Sequence, residues 1–494
     1  MTVALFSPDP AERDRLQKVG IDAQLYPTVA TPSEQEWQTI DVVILDLQLF
    51  RVSTSDTQIP EDFVAEQIRQ AASNNPDAFW LLVSLPGSMG AAYRLRDGLF
   101  EVLRAAYRGA GVSQEPHSVT KILPIVKPPI DEIQRIEDIP IEVRNSRALE
   151  PQEMRCVRRL LKDVDGALLE PFGDGRGDAI VFKVACSLGG AVLPPRILKV
   201  GPATAIKREH ANYEEFVRYK VGGYRFPHHD SEDVWFAGRS GALSYSIVGG
   251  DDPATLVEVM RAGDGSPALN DLFDHVLPPW LAMEEASVLS LRSLVNTFLS
   301  PVSLDDADQY WASDPDPVED LWNPLPWLRD VTNRVIDVDV PTTIVHGDLH
   351  GLNIVVDSNG QAWLVDFYKT GRRVGLFDFA FCDVMLLLHK TPGMLAAAID
   401  LPLQELMQGE RASHGGGHAG RPELDVIRRR AIGRWGVNRE GAFQIARGCI
   451  AIRLMQYPTT DKANAKIVAS LAVGRARELH PEWELQPLIG TVAF

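Results

Sequence analysis

Residues 342–367 restrict what this chain can fold into more than any other stretch. They read TTIVHGDLHGLNIVVDSNGQAWLVDF, with two apolar, β-branched runs on either side of SNG at 358–360. Asn and Gly tolerate the positive φ angles of tight turns, so the pattern predicts a β-hairpin. When that hairpin is folded about Asn359, Asn353 lies six residues before the turn centre and Asp366 seven after it. Both side chains are therefore expected at the open end of the hairpin.

The polar residues around that open end indicate chemistry on phosphate. An amide oxygen from Asn353 and the carboxylate of Asp366 can share one hard cation such as Mg²⁺, which prefers oxygen ligands and usually keeps phosphate and water as the others. Asp348 lies five residues before Asn353 and remains free to orient a hydroxyl group. Together the three residues predict a phosphoryl-transfer site.

Length and charge limit the remaining possibilities. The chain has 494 residues, which is too long for one core and favours two or three domains. Its formal net charge of −18 repels nucleic acid and anionic lipid, so neither is expected as a general partner. The same field favours a cationic substrate or partner.

The sequence also indicates the compartment in which the protein is expected. The four cysteines are widely spaced and form no CxxC pair, so each is expected to be a small buried apolar residue. The start of the chain lacks the basic segment and apolar core of a signal peptide. No run approaches the roughly 18–20 uninterrupted apolar residues of a membrane span. We therefore expect a cytoplasmic protein with no membrane partner.

Residues 1–135 alternate between short apolar runs and segments with helical spacing. Near-continuous apolar runs occur at Val3–Ser7, Asp41–Leu47 and Phe79–Leu85, and a last strand is predicted over Ile122–Val126. This alternation predicts an α/β domain with a parallel sheet covered on both faces. Such a sheet gathers functional residues at the carboxyl ends of its strands. The polar residues found there are Asp9, Asp46, Ser84 and Lys127.

In that order, these four residues resemble the receiver domain of response regulators, which has a flavodoxin-like fold. The resemblance implies a phospho-accepting Asp46, a receiver site completed by Asp9, Ser84 and Lys127, and protein partners bound through this domain. The sequence SPD at 7–9 stands where an active receiver usually has two adjacent acids for Mg²⁺. A degenerate, non-phosphorylated receiver is therefore expected. The same facts also fit an Asp46 that simply ends a strand.

A linker and a second set of strands follow. Residues 136–158 are charged and contain proline, which predicts an interdomain linker. Beyond it, Gly173, Gly175 and Gly177 lie between two predicted strands, where glycine lets backbone amides approach phosphate oxygens. The spacing is GxGxG, and such a segment is more often only a turn.

Lys199 lies within the apolar strand Pro195–Val200 and needs a partner if it is buried. The helix predicted over Ala205–Tyr219 supplies Glu209, as well as two later glutamates. The functional interpretation is that Lys199 pairs with Glu209 and reaches nucleotide phosphates. The alternative is a surface lysine on an edge strand.

The order of these elements resembles the aminoglycoside phosphotransferase and choline kinase group of the protein-kinase-like fold, over roughly residues 160–480. The resemblance implies an α+β, two-lobed domain with a strand-rich N-lobe over 159–250 and a mostly helical C-lobe over 251–494. HGDLHGLN at 346–353 has the spacing of the kinase HRDxxxxN loop, and Asp366 takes the place of the DFG aspartate.

The same resemblance assigns roles and cofactors, with ATP and Mg²⁺ as the latter. Asp348 would accept or orient the proton of a substrate hydroxyl, and Asn353 and Asp366 would hold Mg²⁺. Lys199 would contact the nucleotide phosphates and be positioned by Glu209, with the three glycines covering the phosphates. His346 and His350 are expected to brace the loop, and Asp378 to steady it.

Three functions remain open. The first is an ATP-dependent phosphotransferase acting on a hydroxyl of an unidentified small molecule or protein, in a signalling or regulatory context. The second is a non-catalytic, nucleotide-binding scaffold, suggested by the missing receiver acid and the irregular glycine spacing. The third is a working phosphorelay receiver that drives the second domain.

Overall fold

A computed structural model describes the chain in two compact units. One comprises Met1–His210 and His228–Ile247, and the other Ala211–Pro227 and Val248–Phe494. The described residues are 3–7, 11–18, 22–26, 32–33, 36, 40, 42–46, 66–67, 79–83, 110–113, 131–172, 179–229, 234–249, 253–317, 320–388, 422–436, 439–486 and 488–489.

The described residues at the start of the first unit form a sheet of five strands in the order β2-β1-β3-β4-β5, in which all neighbouring strands are parallel. This parallel sheet agrees with the prediction, whereas the receiver resemblance stays a prediction. The fifth strand is Ala110–Ser113, a segment for which no strand is predicted, and the predicted strand at Ile122–Val126 lies outside the described residues. The sheet and its described helix comprise β1 (Val3–Phe6), α1 (Ala11–Gln17), β2 (Ala23–Tyr26), β3 (Val42–Asp46), β4 (Phe79–Val83) and β5 (Ala110–Ser113).

The second sheet of this unit runs β11-β12-β10-β8-β7-β6, with β9 paired to β8. All its neighbouring strands are antiparallel except β6 and β7, which are parallel. Its elements are α2 (131–137), β6 (Ile141–Val143), α3 (Pro151–Leu160), β7 (Gly166–Pro171), β8 (Ile180–Leu188), β9 (Ala191–Val192), β10 (Arg196–Pro202), α4 (Ala203–Asn212), β11 (Val234–Ala237) and β12 (Ser240–Ser246).

The segment predicted as a linker, 136–158, is folded into this second sheet. Ile141 pairs with Ala167 and Val143 with Leu169, so β6 adds an edge strand. Helix α3 buries Cys156 and Val157 in the same core as the strands. The correction has a physical reason: alternating apolar residues between charged ones still form a strand when a neighbouring strand supplies hydrogen-bond partners.

In its described residues, the second unit is mostly helical and holds three small antiparallel sheets, β13-β17-β18, β14-β15 and β16-β19. The strands are β13 (Ala254–Thr255), β14 (Val288–Ser290), β15 (Asp337–Asp339), β16 (Thr342–Val345), β17 (Ile354–Val356), β18 (Ala362–Leu364) and β19 (Gly371–Val374). The helices are α5 (Leu256–Ala262), α6 (Ser266–Asp271), α7 (Pro278–Leu281), α8 (Leu291–Leu299), α9 (Leu304–Ala312), α10 (Leu325–Thr332), α11 (Phe377–Leu388), α12 (Pro422–Trp435), α13 (Glu440–Leu454) and α14 (Lys462–Leu479).

The predicted hairpin forms with the predicted register. Ile354 pairs with Leu364 and Val356 with Ala362, so the centre of the turn falls at residue 359. The Asp357 carboxylate accepts hydrogen bonds from the backbone N–H groups of residues 359 and 361, at 2.8 and 2.9 Å, which fixes the turn. The hairpin is thus a rigid support for whatever its open end carries.

The structure also tests the prediction about the cysteines. All four cysteines are free and buried, as predicted. None of the helices in the described residues combines the length and apolar character required to cross a membrane.

Candidate functional site

The second unit gathers the motif residues on one loop and one hairpin. Strand β16 pairs with β19, and the loop 346–353 connects β16 to β17. The Val365 N–H donates to the Asn353 carbonyl at 3.1 Å, which extends the hairpin pairing by one step beyond its strands. Asn353 and Asp366 therefore both lie at the open end of the hairpin.

The backbone at Gly347 accepts only glycine without strain. Its φ is +78°, and a Cβ placed there would lie 2.3 Å from the carbonyl oxygen of Lys369. An L side chain disfavours that φ and would collide with a backbone atom that cannot move alone. The close approach sets residues 346–348 directly against the segment that follows Asp366.

Asp378 on α11 anchors this loop. Its carboxylate accepts the backbone N–H of His346 at 2.6 Å and that of Gly347 at 2.9 Å, and the residue is only 4% exposed. Burial raises the pKa of Asp378 to about 7, although both hydrogen bonds act to lower it. These contacts are those of a residue that steadies the loop, as predicted.

His346 supports the loop from inside. It is fully buried, and its Nε2 lies 3.0 Å from the carbonyl oxygen of Val365, to which a protonated Nε2 donates. Burial lowers the pKa of His346, while the carboxylates of Asp366 and Asp348 raise it. A neutral ring tied to the hairpin braces the structure and lacks access to a substrate. Burial likewise lowers the pKa of His350.

Asp348 is the partly accessible carboxylate of the loop. Its side chain is 20% exposed, and Lys369 Nζ lies 3.0 Å from its Oδ1. The Asn353 side-chain amide donates to the Asp348 backbone carbonyl at 3.0 Å, so the ends of the motif are tied together. Asp348 is thereby held in position with one oxygen paired to a cation.

The oxygen atoms of Asn353 and Asp366 suit a hard cation. Because Asn353 donates through its nitrogen, its Oδ1 is the atom left for a metal, and the residue is 7% exposed. Asp366 adopts φ +66°, a conformation that Asp tolerates better than most side chains. Such strained residues cluster at functional sites. An amide oxygen and a carboxylate match the ligand preference of Mg²⁺.

The first unit contains the predicted lysine–glutamate pair. Lys199 on β10 lies 2.6 Å from Glu209 Oε2 on α4, and Tyr245 donates to Glu209 Oε1 at 3.0 Å. Glu209 is 1% exposed and the Lys199 side chain 15%. Lys199 is therefore not a surface lysine, and the alternative interpretation is wrong.

Six of the predicted site residues lie outside the described residues, and a seventh is placed only in part. Asp46 ends β3, but the structure describes nothing of its side chain. Outside the described residues lie Asp9, Ser84, Lys127 and the three glycines at 173, 175 and 177. The receiver site and the glycine-rich segment therefore stay predictions.

Sequence reasoning missed Lys369. It follows Asp366 by three residues and begins the basic run KTGRR, residues 369–373. A basic run directly after a predicted metal ligand was the available signal, because cations near a phosphoryl-transfer carboxylate hold it or bind anions.

Comparisons with known proteins give one family match and several weak structural likenesses. Residues 315–412 match the family model of ternary complex associated domain 9, a match that includes the site loop and hairpin but less than half of the chain. No curated protein matches the chain.

Solved structures that resemble the chain include phosphotransferases and kinases. A thermostable mutant of aminoglycoside phosphotransferase APH(4)-Ia with ADP and hygromycin B has 15% identity and a TM-score of 0.34, covering 63% of this chain and 92% of that one. Glucosamine kinase with glucosamine, ADP and inorganic phosphate has 15% identity and a TM-score of 0.38, covering 68% and 87%. Plasmodium vivax ethanolamine kinase has 12% identity and a TM-score of 0.33, covering 62% and 80%. At such TM-scores the function proposed for this chain rests on its own residues.

Proposed function

We propose that this protein is an ATP-dependent phosphotransferase of the protein-kinase-like type, transferring the γ-phosphate of ATP to a hydroxyl group. The observation that carries the proposal is the braced loop of the second unit. It holds Asp348, Asn353 and Asp366 together through contacts to Val365 and Asp378. A site fixed this firmly by its surroundings is suited to positioning reactants, which is the main contribution of a protein to phosphoryl transfer.

Asn353 and Asp366 would hold Mg²⁺, which when bound neutralises charge on the β- and γ-phosphates. Lys199 would contact the phosphates of ATP. Its ion pair with Glu209, itself held by Tyr245, supports this role because the lysine is fixed in one conformation.

The reaction step assigned to Asp348 is proton acceptance. The substrate oxygen forms a bond to the γ-phosphorus as the bond from that phosphorus to the β,γ-bridging oxygen breaks. ADP leaves with the electrons of that bond, and the hydroxyl proton passes to an Asp348 carboxylate oxygen. Lys369 keeps Asp348 oriented through its ion pair.

A nucleotide-binding scaffold is the second candidate. The family match over residues 315–412 favours it, because its printed name refers to ternary complexes. Such a scaffold would keep nucleotide binding and lack turnover. In both cases the N-terminal parallel sheet would provide a surface for protein partners. The third possibility, a working receiver, would be recognised by acetyl-phosphate labelling of the wild type that is lost in Asp46→Ala.

The test is ADP release by the purified full-length protein with ATP and Mg²⁺. Asp348→Asn should lower turnover about 100-fold or more, as expected for loss of a general base, while ATP binding measured by calorimetry is retained. Asp366→Asn should weaken Mg²⁺-dependent ATP binding as well. Asp339→Asn, which alters an exposed carboxylate paired with Arg439, serves as the matched control and should change neither quantity. ATP binding without turnover in the wild type would favour the scaffold.

A further inference from the structure

Two histidines of the first unit lie side by side next to the Lys199–Glu209 pair. His210 is on α4 directly after Glu209, and His229 precedes β11. His210 Nδ1 lies 2.8 Å from His229 Nε2, and the two rings meet edge to face with their centres 5.0 Å apart. Two imidazole nitrogens this close are joined by a hydrogen bond, and a metal ion can take the place of its proton.

The surroundings of His229 leave its Nε2 ready to bind a metal. His229 is completely buried, and its Nδ1 lies 3.1 Å from the carbonyl oxygen of Ser244 on β12. A carbonyl oxygen only accepts hydrogen bonds, so Nδ1 carries the proton and the Nε2 lone pair of the neutral ring faces His210. A backbone carbonyl that fixes the other ring nitrogen in this way is common among metal-binding histidines.

A carboxylate from the same helix completes a set of three ligands. Helix α4 continues without a break into a π-helical segment, Tyr213–Val217, and Glu214 lies one turn after His210. His210, Glu214 and His229 each offer one ligand atom, and these three atoms lie within 4.8 Å of one another. Short π-helical segments of this kind occur frequently at functional sites.

Only small movements are needed to admit an ion. The Glu214 carboxylate pairs with Arg218 at 2.9 Å, and the two side chains are 34% and 23% exposed. Partly exposed ion pairs between residues i and i+4 of a helix contribute little to stability, so the carboxylate can leave this pair at small cost. Nitrogen ligands of a tetrahedral zinc ion lie about 3.3 Å apart, so the two histidine nitrogens need to separate by about half an ångström.

We propose that His210, Glu214 and His229 form a binding site for a divalent transition-metal ion such as Zn²⁺. Imidazole nitrogens favour zinc and similar ions, whereas Mg²⁺ and Ca²⁺ prefer oxygen ligands. Two histidines and one glutamate leave the fourth position of a tetrahedral ion to water. When the ion binds, the proton of His210 moves from Nδ1 to Nε2, so both rings stay neutral. The inference is independent of the proposed phosphotransferase function.

The bound ion braces the residues around Glu209. The centre of the His229 ring lies 5.4 Å from that of the Tyr245 ring, and Tyr245 donates to Glu209 Oε1 at 3.0 Å. His210 adjoins Glu209 on α4. An ion held by both histidines therefore links α4, through His229, to strand β12. This link gives the metal a structural role beside the Lys199–Glu209 pair.

Calorimetric titration of Zn²⁺ into the metal-free, full-length protein tests the site. Mg²⁺ is kept in excess, so that sites built from oxygen ligands are already filled. We expect saturable zinc binding that weakens by about tenfold or more in His210→Gln and in Glu214→Gln, because each substitution removes one of three ligands. His229→Gln should have the same effect, but it alters a buried residue, so the two partly exposed positions decide the test.

His275→Gln is the matched control for this titration. His275 is an exposed histidine that pairs with Asp271 at 2.9 Å, and its substitution should leave zinc binding unchanged. Zinc should also raise the denaturation midpoint of the wild type and slow hydrogen exchange in peptides that cover α4, since an ion that binds the folded state stabilises it. Both effects should be lost in Glu214→Gln. Absence of saturable binding, or equal zinc binding in the wild type, His210→Gln and Glu214→Gln, would overturn the proposal.

Discussion

Asp378→Asn offers the sharpest local perturbation of the site. At pH 8 the Asp378 carboxyl, with its pKa at about 7, is mostly ionised and accepts two backbone N–H groups, from His346 and Gly347. An amide at this position can accept through one oxygen only, and its NH₂ group would oppose the other N–H. The residue is 4% exposed, so water cannot replace the lost partner.

The expected cost follows from those contacts. Hydrogen bonds to a charged group contribute about 1.5–3 kcal/mol, and an unsatisfied buried N–H costs about 1–3 kcal/mol. Losing one such bond and weakening the other should destabilise the loop by about 2–3 kcal/mol, which is about 30- to 150-fold in its opening equilibrium. Turnover should fall as well, because the same loop carries Asp348.

Hydrogen exchange followed by mass spectrometry at pH 8 reports this opening directly. Peptides that contain residues 346 and 347 should exchange about 30- to 150-fold faster in Asp378→Asn than in the wild type, with exchange in the first unit unchanged. Asp339→Asn is the control for a carboxylate-to-amide change in the same unit. Unchanged exchange at these two amides in Asp378→Asn would refute the reasoning.

Three further outcomes are expected. Gly347→Ala should lower the denaturation midpoint far more than Gly360→Ala. Both glycines have positive φ, at 78° and 76°, but only at Gly347 would a Cβ lie against a backbone oxygen. Equal shifts in the midpoint would be inconsistent with the loop geometry. Glu209→Gln should raise the ATP concentration for half-maximal turnover about tenfold by loosening Lys199; an unchanged ATP titration would exclude a role for the pair. Burial lowers the pKa of His346, so below pH about 6.5 the unfolded chain takes up a proton that the folded chain does not. The free energy of unfolding should therefore fall less steeply below that pH in His346→Gln than in the wild type. Parallel curves of stability against pH would argue against a buried neutral ring.

Local sequence signals predicted the hairpin well. Its register depends on a turn residue and on apolar runs of matched length, both contained within 342–367. The Lys199–Glu209 pair could also be predicted from the sequence, because a charge in an apolar strand requires a partner and the next helix supplies one. In each case the determining residues lie close together in the chain.

Strands with weak sequence patterns were harder to predict. Ala110–Ser113 contains two residues with little or no side chain, and Ile141–Val143 is only three residues long within a charged segment. Neither has a pattern strong enough to separate a strand from a loop. Their conformation depends on the neighbouring strands β4 and β7, which sequence spacing does not reveal.

The basic residues of the second unit show a different limit. The guanidinium carbon of Arg453, on α13, lies 5.6 Å from the centre of the Phe377 ring and 5.2 Å from that of the Phe381 ring, both on α11. No motif relates Arg453 to these rings, so tertiary structure was needed to bring them together. Lys369 lies closer to Asp348 in sequence, but only their ion pair in the structure identifies the role of this lysine.

A crystal structure of the full-length protein with Mg²⁺ and a non-hydrolysable ATP analogue tests the central claim most directly. We expect a cation bound at about 2.0–2.1 Å by Asn353 Oδ1 and an Asp366 carboxylate oxygen, as is usual for Mg²⁺, with the γ-phosphate on that cation and Asp348 not among its ligands. A nucleotide bound elsewhere, or a cation that contacts neither Asn353 nor Asp366, would contradict the assignment of this loop and hairpin as a phosphoryl-transfer site.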